Sequence, residues 1–136
     1  MSTLVVATLK SNSSSPPAFQ NTSGTEVGTL CRAWVNFNGT GTVAIRAQFN
    51  VSSITDNGTG DYTVNFATAM SDANYGISFG GQRGDGAGFI NFGQSCIQGT
   101  SNNTPSFTSS QIRFNVANSN GSTAIDWPVF CVSIFR

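Results

Sequence analysis

Histidine is absent from this sequence and charge is scarce: 9% of the 136 residues are ionic, six basic and six acidic, for a net charge of zero. Without an imidazole no Ser-His-Asp or Cys-His nucleophile can be assembled, and a Ser-Lys variant would have to rely on Lys10. With no Lys/Arg cluster there is no stripe to displace counterions from nucleic acid or anionic lipid, so neither is an expected partner. Average soluble proteins carry about a quarter charged residues; the polar surface here must be built from Ser, Thr, Asn, Gln and Gly instead. Little repulsion then keeps copies apart, which favours an assembled state.

Cysteine is sparse too. Cys31, Cys96 and Cys131 form neither a Cys-x-x-Cys pair nor an even disulfide framework, and no histidine completes a mixed metal site. Cys31 and Cys131 fall in apolar strand patterns and read as buried free thiols. No apolar run approaches the ~20 residues of a membrane-spanning helix. The stretch Leu4 to Ala7 is short for a signal-peptide core and Lys10 follows it, so synthesis in a cytoplasm is expected. Sequons such as Asn38-Gly39-Thr40 and Asn57-Gly58-Thr59 are then compositional.

What is present is alternation. Val43, Ile45, Ala47, Phe49 and Val51 interleave with Ala44, Arg46, Gln48 and Asn50, the pattern of a half-buried antiparallel strand. After the turn Asp56-Asn57-Gly58-Thr59-Gly60, Tyr62, Val64 and Phe66 alternate with Asp61, Thr63 and Asn65. Further strands are predicted at 31–37, 74–79, 88–92, 111–117 and 127–135, with no helical period anywhere. One antiparallel β-sandwich or jelly-roll-like module of about seven to eight strands is expected over 31–136. Residues 1–30, with the polar, Pro-bearing stretch Ser11 to Pro17, read as an extended N-terminal arm for anchoring or inter-subunit contact. In the last strand Val129, Cys131 and Phe135 share one face and Phe130, Val132 and Ile134 the other. Such a strand is either central in its sheet or pressed against another subunit.

Each chemical motif has a simpler reading beside it. Asp56, Asn57 and Asp61 could ligate a hard cation, but they lack the spacing of a calcium loop and fit a hairpin. Gly84, Gly86 and Gly88 precede no helix and so make no phosphate loop. A carboxylate pair for glycoside hydrolysis would have to come from Asp56, Asp61, Asp72, Asp85, Asp126 or Glu26, several at turns where Asx capping is the usual role. No catalytic, cofactor-binding or metal-binding residue is assigned, and no enzyme activity is expected. Trp34 lies on the opposite face from Ala33, Val35 and Phe37. It is a subunit contact first, a sugar platform second, or a residue under a loop. Trp34, Trp127, Phe130, Val132 and Ile134 are the interface candidates; Arg83 and Asp85, in the Gly80–Gly88 loop, are the candidates for recognition at a loop tip.

The runs Arg32 to Arg46, Phe49 to Phe66 and Ala69 to Tyr75, with the opening Met1-Ser2-Thr3-Leu4 and the ending Val132 to Arg136, carry a family likeness. They resemble a module of bacteriophage virion proteins, found in short stand-alone proteins and at the ends of tail-fibre-like proteins. The likeness is concentrated in residues 20–75. It implies a virion structural protein assembled in the host cytoplasm, with no active site to carry over. Lacking a heptad, collagen-like or β-helical shaft, the chain suits a capsid decoration or cement protein; the alternative is a tail-fibre or knob subunit that binds a host surface glycan. The expected partners are further copies, grouped as a trimer, and the phage's major capsid or tail proteins.

Overall fold

The computed structural model describes residues 5–11, 17–82, 84, 95–96, 107–116 and 124–136. All regular structure among them is β, and the chain divides into two units, Met1–Leu30 and Cys31–Arg136. In the first unit, β1 (Phe19–Gln20) pairs antiparallel with β2 (Glu26–Gly28). Asn21 makes that turn: its side-chain oxygen accepts the Ser23 and Thr25 amides, an Asx arrangement. The arm is therefore not extended throughout, as expected from its composition, but carries a small hairpin.

The second unit contains β3 (Cys31–Asn38), β4 (Ala44–Phe49), β5 (Val51–Gly58), β6 (Asp61–Phe66), β7 (Gly76–Gln82), β8 (Ser95–Cys96), β9 (Gln111–Val116) and β10 (Val129–Phe135). They form two four-stranded antiparallel sheets, ordered β4-β3-β10-β7 and β5-β6-β9-β8. This is a β-sandwich, as the alternation predicted. From one sheet Ala33, Val35 and Phe37 point inward with Phe130, Val132 and Ile134; from the other come Tyr62, Val64 and Phe66 with Ile112, Phe114 and Val116. Each large side chain so buried contributes roughly 1.5–3 kcal/mol of transfer free energy. The rings interlock at one end: Phe37 packs edge-on to Tyr62 at 5.3 Å between centroids, and stacks on Phe130 at 5.0 Å. Trp127 lies parallel to Phe130 at 5.6 Å and covers Gly81, where a Cβ would stand 2.5 Å from the indole. Glycine is required at that close approach.

Three expectations are corrected. The single strand predicted over 43–51 is two strands in different sheets, because Asn50 adopts φ 54° and turns the chain from one to the other. Its amide nitrogen donates to the Arg32 and Thr68 carbonyls and its side-chain oxygen accepts the Thr68 amide, which fixes the corner. The predicted turn at 56–60 begins later: β5 runs to Gly58, and the reversal is made by Gly58 and Gly60, both with positive φ. The predicted 74–79 strand starts at Gly76 and continues to Gln82. The strand predicted at 88–92 lies outside the described residues. Of the two alternatives for the last strand the structure adopts the first, with β10 central between β3 and β7.

Candidate interaction surfaces

The two sheets present unlike outer faces. On β5-β6-β9 the outward residues are polar and bonded to one another. Asn65 donates to the Ser53 and Thr55 hydroxyls, both at 3.0 Å, and Asn57 donates to the Thr63 hydroxyl at 2.9 Å. Arg113 grips Asp61 through two bonds, Nε to Oδ1 at 2.8 Å and Nη2 to Oδ2 at 2.6 Å. The Arg113 bond holds the Asp61 carboxyl below its ordinary range, against the opposing effect of partial burial. Asp56 accepts the Gly58 amide at 2.9 Å. The Asp56-Asn57-Asp61 cluster thus closes a hairpin, and among the described residues no group of three potential metal ligands occurs.

On β4-β3-β10-β7 the outer face is mostly apolar or small, with Asn36 and Arg46 its polar members. The strand register sets two cross-strand rows, Phe49-Trp34-Ser133-Ser78 and Ala47-Asn36-Cys131-Gly80. Trp34 is 38% exposed and Phe49 55%. Asn36 donates to the Cys131 sulfur at 3.3 Å and accepts from Arg46, whose other nitrogen donates to the Pro128 carbonyl at 2.5 Å. Cys131 is therefore half-buried on an outer face, where a fully buried thiol was expected, and Cys31 is also half-buried. Phe135, 40% exposed, extends the apolar surface at the end of β10.

Of the five interface candidates, only Trp34 is on the surface. Trp127, Phe130, Val132 and Ile134 are buried inside the sandwich, 0–4% exposed, and no second copy can reach them. The reason is the central place of β10: its inward face is satisfied by the chain's own second sheet. Arg83 and Asp85 lie outside the described residues. The sequence reading missed Phe49, because Phe49 and Ala47 looked like part of a buried face. A β-bulge between Asn36 and Phe37 places Arg46 as the extra residue, so Ile45 faces the core side while Ala47 and Phe49 turn outward. Nothing in the local alternation announces that inversion.

Behind the surface is one buried polar knot. Tyr62 Oη lies 3.0 Å from the Gly39 carbonyl and 2.5 Å from Asp126 Oδ1, and the Gly60 amide donates to the same carboxylate oxygen at 2.7 Å. Burial, reinforced by the Asp126 hydrogen bond and charge, pushes the Tyr62 phenol far above its ordinary range. Asp72 is likewise engaged, with Arg136 at 2.6 Å. Asp56, Asp61, Asp72 and Asp126 serve here as turn caps and ties between segments, and Asp85 lies outside the described residues.

No protein-family model, curated protein or solved structure matches this chain.

Proposed function

We propose that the chain is a structural protein of a bacteriophage particle surface, a capsid decoration or cement protein that attaches through one face of its sandwich. The observation that carries this reading is the inequality of the two outer faces: Trp34 and Phe49 stand on a sheet face whose rows are completed by Ser, Ala, Gly, Cys and Asn36, with Arg46 bonded to Asn36, opposite a face of Ser, Thr, Asn and an Asp-Arg pair. A domain with one apolar and one polar face rests on something with the first and meets water with the second. The phage assignment itself comes from the resemblance over residues 20–75. Exposed Val5, Val6 and Leu9 give the arm apolar anchors for a second attachment to the shell.

The test is particle incorporation. Trp34→Asp combined with Phe49→Asp changes only outward side chains, so the variant is expected to fold and to be lost from purified particles at least tenfold. Incorporation equal to wild type by a correctly folded variant contradicts attachment through this face. A further control, Thr55→Asp on the polar face, is expected to leave incorporation unchanged.

A further inference from the structure

The apolar outer face has a size order that points to what covers it. Across the first row the residues run large, large, small, small: Phe49, Trp34, Ser133, Ser78. In the second row Ala47 stands at one edge and Gly80 at the other, with Asn36 and Cys131 between. Within these two rows the bulk is gathered on β4 and β3 and the hollows on β10 and β7, with Val129 and Phe135 at the two ends of β10, and the rows are complementary to themselves under one operation. A two-fold axis parallel to the strands, in the plane of contact, lays β4 over β7 of the second copy and β3 over β10. Each row then falls on its own reverse. Phe49 meets Ser78, Trp34 meets Ser133, Ala47 meets Gly80 and Asn36 meets Cys131.

We infer that two copies of this chain pair back to back through the outer faces of their β4-β3-β10-β7 sheets, with Trp34 and Phe49 of each seated over Ser133 and Ser78 of the other. The inference rests on the reading that this face is a contact surface: a second copy covers it in the isolated chain, and attachment to the shell replaces that copy. The contact is isologous, the commonest symmetry of soluble oligomers. Its size is sufficient. Strands of about seven residues at about 3.3 Å, four abreast at about 4.8 Å, make a face of roughly 450 Å² on each copy before side-chain relief. Relief brings the pair near the roughly 1,200 Å² at which specific interfaces begin.

Charge sets only the arginines against it. The face rows hold no acidic residue, and the basic groups of these strands are Arg32, near the start of β3, and Arg46, turned back onto Asn36 and the Pro128 carbonyl. Like arginines of the two copies lie at the same end of the contact. Their side chains project into the contact, so their repulsion opposes pairing and is screened as salt rises.

Sedimentation of the isolated full chain and four variants tests the pairing away from any particle, so that its failure is distinct from failure of the phage reading. Wild type is expected to sediment as a dimer in the micromolar range. Trp34→Ser removes the knob and Ser133→Trp fills the hollow; each is expected to weaken dimerisation at least tenfold. The double variant Trp34→Ser with Ser133→Trp exchanges knob and hollow, and is expected to recover most of the lost affinity. All these changes lie on the outer face, and circular dichroism confirms the fold. Ser53→Trp, on the opposite sheet, is expected to leave the dimer intact. A monomeric wild type, an assembly indifferent to either single change, or a double variant no better than the weaker single overturns the inference. Recovery in the double variant identifies a second copy as the partner, because a different protein seated on the face would lose both contacts.

Discussion

The phenols of Tyr62 and Tyr75, the chain's two tyrosines, are both buried and both hydrogen-bonded. Tyr75 lies 3.0 Å from the Thr108 carbonyl and 3.1 Å from that of Gln111, and burial pushes it up to about 12. Tyr62 is raised further, by burial first and then by Asp126. A raised folded-state value means that the unfolded chain releases these protons first, so the stabilisation is complete below the ordinary value of 10.0 and falls as pH rises above it. Alkaline titration followed by tyrosinate absorbance is therefore expected to show one cooperative step that coincides with loss of β-structure. Gradual ionisation near the ordinary value, with the fold intact, would contradict the buried arrangement. At the acid end Asp61 acts in the opposite sense. Its lowered value gives stability that is present above the ordinary 3.8 and lost as pH falls through the folded-state value. The effect is small, because its Arg113 partner is more than a third exposed.

At the scale of elements, one left-handed residue and one bulge account for what alternation failed to reveal. Asn50 joins β4 and β5 across the two sheets, with both its backbone and its amide engaged. Asn50→Ala is expected to lose about 1–3 kcal/mol from the unfavourable left-handed backbone and the lost hydrogen bonds. Asn50→Gly keeps the backbone and loses only the bonds, so its cost is expected to be smaller. Denaturant midpoints measure both; an Asn50→Ala variant as stable as wild type would show that the corner is held by other residues. Strands β3, β6, β9 and β10 were legible because their inward residues, such as Val35, Val64, Phe114 and Val132, alternate without interruption. β5 was not legible, since it is an edge strand whose Ser and Thr residues bond to its neighbour rather than fill a core. The outward turn of Phe49 was hidden for a related reason. Side-chain direction in a strand depends on the register with its partner, and the bulge that shifts this register is at Arg46 of β4, opposite the Asn36-Phe37 step of β3. The burial of Trp127, Phe130, Val132 and Ile134 depends on sheet order, which becomes definite only when β10 is seen between β3 and β7.

At the scale of the whole molecule, the sandwich resolves the demand for burial on both sides of its last strand. The inward residues of β10 are covered by the second sheet, while its outward residues, Val129, Cys131, Ser133 and Phe135, join Trp34 and Phe49 on a face the sandwich leaves open. Near-zero net charge leaves that face undefended by repulsion, and the polar sheet opposite remains suited to water. The proposed capsid role makes a positional demand. Electron microscopy of intact phage particles carrying this chain tests the demand most directly. Density for the sandwich repeated over the capsid shell, with the β4-β3-β10-β7 face in contact and the Asp61-Arg113 face outward, is the expected result. Density confined to the tail, or capsid contacts made by the polar face with Trp34 and Phe49 in solvent, would contradict it.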